Sequence, residues 1–193
     1  MALDATSDAS DEALLVAFGN GDRDAARILT LRLTPRVLGF AARMLRGDRA
    51  EAEDVAQEAM LRLWRQAGDW RQGEAKVTTW LYRVVRNLCT DRLRKARTTA
   101  LDAVPEPEDD APGAAEGLQQ AARLSALDAA LADLPDRQRE AVILRHIEGF
   151  SNPEIAQAMD IGVEAVESLT ARGKRALAGL LARRRGELGY EDD

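Results

Sequence analysis

Aromatic and basic side chains alternate over residues 79–95, and this composition is suited to holding a nucleic acid. Trp80 and Tyr82 stand beside Arg83 and Arg86. Aromatic rings can stack on unpaired bases while guanidinium groups hold phosphates, so the stretch fits a single-stranded nucleic acid. A core helix with Trp80 packed inward would have a similar sequence, and both interpretations can hold for opposite faces of one helix.

Residues 151–175 have the sequence of a helix-turn-helix. Ser151 can cap a helix, and Glu154 three residues later completes a capping box. A tight turn should follow, with Gly162 in the left-handed backbone conformation. A second helix is predicted from Val163. Because the second helix of this motif lies in the major groove, the segment indicates contact with duplex DNA.

The sequence of residues 51–64 predicts an amphipathic helix, which is one of the elements that must position the candidate nucleic-acid-binding residues. An apolar stripe at helical spacing comprises Val55, Ala59, Met60, Leu63 and Trp64. The residues that lie away from this stripe are Asp54, Gln57, Glu58 and Leu61. Taken alone, the pattern indicates only a helix that packs on a core.

The composition of the 193-residue chain predicts an all-α protein. Hydrophobic residues make up 46% of the chain but aromatic residues only 4%, so its core must consist mainly of aliphatic side chains. Good helix formers dominate and β-branched runs are scarce. No apolar stretch approaches the roughly 20 residues of a membrane span, and residues 1–11 lack the features of a signal peptide. We therefore expect a cytoplasmic protein that does not insert into membranes.

Neither catalysis nor metal binding is indicated by the residue types. The single cysteine, Cys89, excludes an internal disulfide, and with the single histidine, His146, it leaves too few soft ligands for a zinc site. We expect His146 on a helix surface and Cys89 as a small buried apolar residue. No nucleophile–base pair or phosphate-binding loop is evident, which predicts a non-enzymatic protein without cofactor, metal or small-molecule substrate.

The net charge of −6 is distributed unevenly along the chain. Residues 62–97 contain ten Lys or Arg and three acids, and residues 172–185 contain six basic residues and no acid. Acidic side chains concentrate near the N-terminus and in residues 102–116. Two basic patches with an acidic spacer fit two DNA-contacting modules, although each patch could also be an ordinary solvated helix face.

The segment 98–120 predicts a flexible acidic linker. It is rich in proline, glycine and acidic residues and has few large apolar ones. Such a segment cannot bury enough apolar surface to offset the entropy of ordering it. We therefore predict two small helical domains, residues 1–97 and residues 121–193, joined by the linker 98–120.

Two motifs in this order resemble the extracytoplasmic-function (group 4) sigma factors of bacterial RNA polymerase, within the sigma-70 family. The first comprises residues 52–58, 79–83 and 87–94, and it is similar to region 2 of that family. The second comprises residues 134–161 and is similar to region 4. A lone helix-turn-helix is weakly specific, whereas both motifs in the right order are specific for the family.

The resemblance implies an alternative sigma factor that binds core RNA polymerase, directs promoter recognition and promotes DNA melting at transcription initiation. The implied partners are the β′ clamp and β flap of core RNA polymerase, promoter DNA and an anti-sigma factor. The resemblance implies that core polymerase is bound by Asp54, Gln57, Glu58 and Leu61. It also implies that residues 67–76 form a pocket for a flipped base of the non-template strand. Contact with the minus-ten element is implied for Trp80, Arg83, Arg86 and Asn87. Contact with the minus-thirty-five element is implied for Glu164, Ala165, Glu167, Ser168, Arg172, Lys174 and Arg175.

The predicted recognition helix departs from the family pattern near its start. Glu164 and Glu167 stand where the family has small or basic residues. Carboxylates repel phosphates, although a carboxylate can accept a hydrogen bond from cytosine N4. The resemblance therefore supports the polymerase role more strongly than the minus-thirty-five contacts.

Two other classes of DNA-linked protein would need features beyond a helix-turn-helix. A stand-alone helix-turn-helix regulator would need an apolar ligand pocket in the N-terminal domain. A response-regulator adaptor that imitates a sigma factor would need a receiver domain with a phosphorylatable aspartate after a buried strand. The sequence indicates neither feature.

Overall fold

The computed structural model describes residues 9–71, 73, 76–99 and 115–183, with side chains omitted at 99 and 115–122. Its helices are α1 Asp11–Gly19, α2 Arg23–Met44, α3 Arg49–Gln66, α4 Val77–Thr99, α5 Ala115–Ala132, α6 Asp136–Val142, α7 Asn152–Met159 and α8 Val163–Arg183. A 3-10 turn, Ala67–Asp69, follows α3, and a π-helical turn, Ile143–Ile147, follows α6. No strand occurs in the described ranges, and the predicted all-α fold is confirmed.

Side-chain caps determine where the first three helices begin. The side chains of Ser10, Asp22 and Asp48 accept hydrogen bonds from backbone N–H groups in the first turns of α1, α2 and α3. These N–H groups have no partner within the helix, so each cap satisfies a donor that would otherwise need water. Apolar periodicity alone locates the start of a helix only to within one or two residues, and the caps define which residue it is.

Helices α1 to α4 form the N-terminal domain, and each buries one apolar side. Leu29, Leu33, Val37 and Phe40 of α2 follow one another at helical spacing and are fully buried. In α3 the predicted stripe is confirmed, since Val55, Ala59, Met60 and Leu63 are buried and Trp64 is half-buried. Packing of these stripes supplies most of the stability of such helices.

The helix-turn-helix occupies α7 and α8 in the C-terminal domain, and its capping box is confirmed. The Ser151 hydroxyl accepts from the N–H of Glu154, whose carboxylate accepts from the N–H of Ser151 at 2.8 Å. The left-handed residue of the turn is Asp160, with φ of 55°, so the expectation for Gly162 was wrong. Aspartate tolerates this conformation because its short polar side chain avoids the clash that bulkier residues meet.

Helix α8 crosses α6 closely at Gly173. A Cβ atom built on Gly173 would lie 2.6 Å from Cγ2 of Val142 and 3.0 Å from the carbonyl oxygen of Gln138. Contacts this short require the neighbouring atoms to move. The absence of a side chain at Gly173 therefore sets how closely the recognition helix approaches the rest of its domain.

The two domains pack against each other, with α4 in contact with α7. The Tyr82 ring of α4 lies between two phenylalanine rings, at 5.0 Å from Phe40 and 4.9 Å from Phe150. Tyr82 is fully buried and Phe150 is 6% exposed. The buried apolar side chains of both domains consequently form one continuous core.

The predicted linker, 98–120, falls mainly on residues 100–114, which lie outside the described residues. At its ends, Thr98 belongs to α4 and residues 115–120 belong to α5. The domain boundaries therefore stay predictions. Within the ranges that are described, every helix is too short or too polar to cross a membrane.

Candidate interaction surfaces

An apolar groove runs between α2 and α3 on the surface of the N-terminal domain. It has a volume of about 320 Å³ and is lined by Thr34, Leu38, Glu53, Ala56, Gln57, Met60, Leu61 and Trp64. Leu61 is 47% exposed. An exposed leucine beside partly covered apolar side chains is typical of a surface that receives a helix from another protein.

The four residues predicted to bind core polymerase all lie on α3, and two of them line this groove. Gln57 and Leu61 are the groove residues, and both are exposed. Asp54 is exposed on the same helix. Glu58 is half-buried and accepts a hydrogen bond from Arg62 at 2.5 Å, so its charge is already partly neutralised within α3.

Helix α2 supplies one wall of the groove, which was not predicted from the sequence. Thr34 and Leu38 are four residues apart and are both half-buried at the groove. This spacing places them on one helix face. The pattern was available in the sequence, but the stronger apolar stripe that α2 turns toward the core obscured it.

The four residues predicted to contact the minus-ten element occupy different environments on α4. Arg83 and Asn87 are exposed and four residues apart, so they face solvent from the same side of the helix. Trp80 and Arg86 are half-buried. The structure thus brings Arg83 and Asn87 together on the open face and places Arg86 toward the C-terminal domain.

An aromatic wall forms where the loop before α4 meets this helix. The rings of Trp70 and Trp80 meet edge to face, with centroids 6.1 Å apart. The Trp70 Nε1 atom is buried and has no hydrogen-bond acceptor among the described residues. Both rings are only half-buried, and their open surface suits contact with an unstacked base, whereas the buried Nε1 atom is out of reach of a ligand. The loop 67–76, predicted to hold a flipped base, is described here only in part.

Arg86 forms an ion pair across the domain boundary. Its Nε atom lies 3.2 Å from Oε1 of Glu140 on α6, but neither atom makes a well-aligned hydrogen bond. Glu140 is only 3% exposed. Burial raises the pKa of Glu140 to about 7, although the positive charge of Arg86 acts in the opposite direction. The pair is therefore a buried charge contact whose desolvation is incompletely compensated.

Three further contacts join the N-terminal domain to the helix-turn-helix and to the turn that precedes it. The Tyr82 hydroxyl donates to the carboxylate of Glu148, and Nη2 of Arg36 lies 3.5 Å from Oε2 of the same carboxylate. Burial holds the pKa of Tyr82 far above its ordinary value, so the hydroxyl remains a donor. Lys76 Nζ lies 2.6 Å from Oε1 of Glu154, and this hydrogen bond is the main reason that the pKa of Glu154 falls to about 2.

A cluster of guanidinium groups surrounds Asp136 at the start of α6. Arg46 and Arg97 of the N-terminal domain both donate to its carboxylate, as does Arg139 at 2.9 Å. Burial opposes ionisation of Asp136, but the hydrogen bond from Arg46 and the other positive charges outweigh it and lower the pKa. Arg139 is fully buried and also donates to the carbonyl of Met44 at 2.9 Å.

The seven residues predicted to contact the minus-thirty-five element are all exposed on α8: Glu164, Ala165, Glu167, Ser168, Arg172, Lys174 and Arg175. Glu164, Ser168 and Arg175 share the line of the helix opposite buried Val166 and Gly173. The two carboxylates therefore stand at the N-terminal end of the helix, which is the end that approaches base edges in this motif.

The remaining sequence predictions concern isolated polar residues. Cys89 is buried, as predicted, and burial raises the pKa of its thiol to about 12. His146 is exposed on the π-helical turn, as predicted. Within the described part of the chain, His, Cys, Asp and Glu side chains form no cluster of three or more that could hold a metal ion.

Comparison with known proteins relates these surfaces to a family. The model for Sigma-70 region 2 matches residues 29–99, and the model for Sigma-70, region 4 matches residues 124–177. The ECF RNA polymerase sigma factor SigM of Mycobacterium tuberculosis is 36% identical over 172 residues, which cover 89% of this chain and 85% of SigM. The RNA polymerase sigma-H factor of Pseudomonas aeruginosa is 33% identical over 178 residues, which cover 86% and 91% of the two chains.

Solved structures have the same fold. CnrH in complex with the cytosolic domain of CnrY gives a TM-score of 0.67 at 24% identity, covering 91% of this chain and 99% of that one. The sigma factor RpoE in complex with the anti-sigma factor NepR from Bartonella quintana gives 0.64 at 24% identity, covering 79% and 94%. Two helical domains that match regions 2 and 4 in this order define a sigma-70 protein. The chain belongs to the ECF sigma factors of this family, which are non-enzymatic DNA-binding regulators of transcription.

Proposed function

We propose that this alternative sigma factor binds core RNA polymerase through the groove between α2 and α3. The proposal rests on the exposure of one leucine: Leu61 is 47% exposed at a groove lined mainly by apolar surface. Exposed Gln57 and Asp54 beside it supply polar contacts that would fix the orientation of a docked helix. The resemblance implies that the occupant is the β′ clamp, and an open apolar groove with a polar rim suits that occupant.

A matched pair of leucine substitutions tests this proposal. Leu61→Ala should weaken binding to core polymerase about fivefold or more, because loss of an apolar anchor at an interface centre typically costs more than about 1 kcal/mol. Leu31→Ala is the control, since Leu31 is 67% exposed on α2 and does not line the groove. Titration of labelled factor with core polymerase gives both affinities. Equal affinities for the two variants would refute the assignment of the groove.

The proposal assigns promoter contacts to α4 and α8. On α4, Arg83 and Asn87 face solvent and the Trp70–Trp80 pair lies beside them, which supports stacking on bases of a melted minus-ten strand. On α8, Ser168 and the following basic residues are open to duplex DNA. The exposed Glu164 and Glu167 weaken that second contact, so the minus-thirty-five interaction depends on polymerase holding both domains on one promoter.

We also infer that the factor acts in the cytoplasm, has no catalytic activity of its own and is held inactive by an anti-sigma factor. A structure of similar fold supports an anti-sigma partner, since the sigma factor RpoE is bound there to the anti-sigma factor NepR. A protein that copurifies with the tagged chain before induction should suppress transcription when it is added back to purified holoenzyme. A copurifying protein that leaves transcription unchanged would not be this regulator.

A further inference from the structure

We propose that Glu167 determines specificity on the recognition helix α8 by selecting a cytosine in the minus-thirty-five element. This role rests on the proposed contact of α8 with duplex DNA and specifies the base edge that the helix reads there. Glu167 is an exposed carboxylate near the N-terminal end of α8, which is the end that approaches base edges in a helix-turn-helix, and a residue of α7 orients it.

Helix stability does not account for the charge of Glu167. Helix α8 begins at Val163, so Glu164 belongs to the first turn, where the positive end of the helix dipole stabilises a carboxylate. Glu167 lies beyond that turn. Its neighbours three and four residues away are Val163, Glu164, Thr170 and Ala171, and none of these is a basic residue that could pair with it along the helix.

Asn152 at the start of α7 orients the carboxylate of Glu167. Its Nδ2 atom donates to Oε1 of Glu167 at 3.4 Å. In the part of the chain that the structure describes, this is the only hydrogen bond or ion pair of that carboxylate, so Oε2 remains open to a donor from outside. A side chain that is already restrained loses less conformational entropy when it binds, which favours a specific contact.

A carboxylate in the major groove discriminates among the four bases because it only accepts hydrogen bonds. Cytosine presents a donor there, its N4 amino group, without an adjacent acceptor. Adenine presents a donor at N6, but its N7 acceptor lies beside the amino group and repels a carboxylate. Guanine and thymine present acceptors. Glu167 should therefore favour cytosine and disfavour guanine most strongly.

Basic side chains farther along α8 offset the repulsion between Glu167 and the phosphates. Arg172, Lys174 and Arg175 are exposed and lie about one to two turns beyond Glu167. Contacts with phosphates position a protein on the duplex, whereas contacts with base edges read the sequence. Glu167 thus lowers the overall affinity of α8 for DNA but contributes selectivity, which agrees with a minus-thirty-five contact that depends on polymerase.

Selection from a randomised promoter pool tests this role with the full-length factor bound to tagged core polymerase. The template is the promoter that gives the strongest genomic run-off transcript, with the base pairs of its minus-thirty-five element randomised. Sequencing of the templates that the tagged holoenzyme retains gives the base preference at each position. The wild-type factor should enrich cytosine about fivefold or more over the other bases at one position of one strand.

Three substitutions separate base reading from charge. Glu167→Gln should shift the preference from cytosine toward adenine, because an amide accepts from N6 while it donates to N7. Glu167→Ala should abolish the preference at this position and leave the other positions unchanged. Glu164→Gln is the matched control, since it removes the same charge from an exposed position of the same helix and should retain the cytosine. Circular dichroism verifies that each variant is folded.

The same experiment separates failure of this role from failure of the proposed function. A wild-type factor that selects templates without enriching cytosine would overturn the role of Glu167, as would a Glu167→Ala variant that keeps the wild-type preference. Equal changes of preference in Glu164→Gln and Glu167→Gln would also overturn it, because charge alone would then explain the effect. Retention of no more template than core polymerase alone would instead contradict promoter recognition by this factor, and the role of Glu167 with it.

Discussion

Two glycines of α8 should respond oppositely to the same substitution. Gly173 lies where α8 crosses α6, and a Cβ there would meet Val142 Cγ2 at 2.6 Å and the Gln138 carbonyl at 3.0 Å. At Gly179, no atom that the structure describes comes within 4 Å of the added Cβ. Gly173→Ala should therefore destabilise the C-terminal domain, and Gly179→Ala should stabilise it.

The expected magnitudes follow from two opposing effects. Replacing glycine by alanine inside a helix gains about 0.5–1 kcal/mol in either position. Overpacking at Gly173 costs about 1–3 kcal/mol, because one of the two close atoms belongs to the backbone and cannot rotate away. The net effect at Gly173 is a loss of roughly 0.5–2 kcal/mol, against a gain of up to about 1 kcal/mol at Gly179.

Urea denaturation of the full-length chain, followed by circular dichroism, measures both effects under one condition. The midpoint should fall for Gly173→Ala and rise for Gly179→Ala, at similar slopes. Equal stabilisation by both substitutions would show that α8 does not approach α6 as closely as described. The recognition helix would then be held differently, and its assigned outer face would need revision.

Protonation, melting and DNA affinity give three further predictions. Because burial raises the pKa of Glu140 from 4.5 to about 7, the folded protein retains a proton that the unfolded chain loses in this window. The free energy of unfolding should fall by up to about 3 kcal/mol as the pH rises through this range. Glu140→Gln should weaken this pH dependence, which denaturation at several pH values measures. An equal pH dependence in the variant and the wild type would contradict the burial of a protonated Glu140. Asn87→Ala should reduce permanganate reactivity of promoter thymines more than closed-complex binding, and a wild-type opening rate would exclude reading of the melted strand by Asn87. The fragment 121–193 should bind duplex DNA weakly, with a log–log salt slope of about three or less, whereas tight specific binding would favour a stand-alone regulator.

Local features of the fold were predictable because they depend on neighbouring residues. The apolar stripe of α3 and the capping box of Ser151 and Glu154 each involve residues within about three turns of helix, and both are confirmed. The turn after α7 was predicted less well. Glycine is the usual left-handed residue, but here Asp160 takes that conformation and Gly162 does not.

Contacts between distant parts of the chain were not predictable from periodicity. Arg86 and Glu140 are separated by more than fifty residues, and nothing in the sequence of α4 distinguishes the inward-facing Arg86 from the exposed Arg83. The wall of the groove that α2 contributes was missed because the stronger apolar stripe that α2 turns toward the core obscured the pair of Thr34 and Leu38. Helical patterns show which side of a helix is apolar, but they do not show which other helix covers it.

Run-off transcription on genomic fragments tests the central claim most directly. With the factor at a limiting concentration near the wild-type Kd, core polymerase should produce discrete transcripts with the wild-type chain and with Leu31→Ala. The yield should be several-fold lower with Leu61→Ala, which loses the leucine at the groove between α2 and α3. Transcripts of equal yield with all three proteins would refute the groove as the polymerase-binding site. A wild-type chain that adds no transcripts to those of core polymerase alone would contradict its function as a sigma factor.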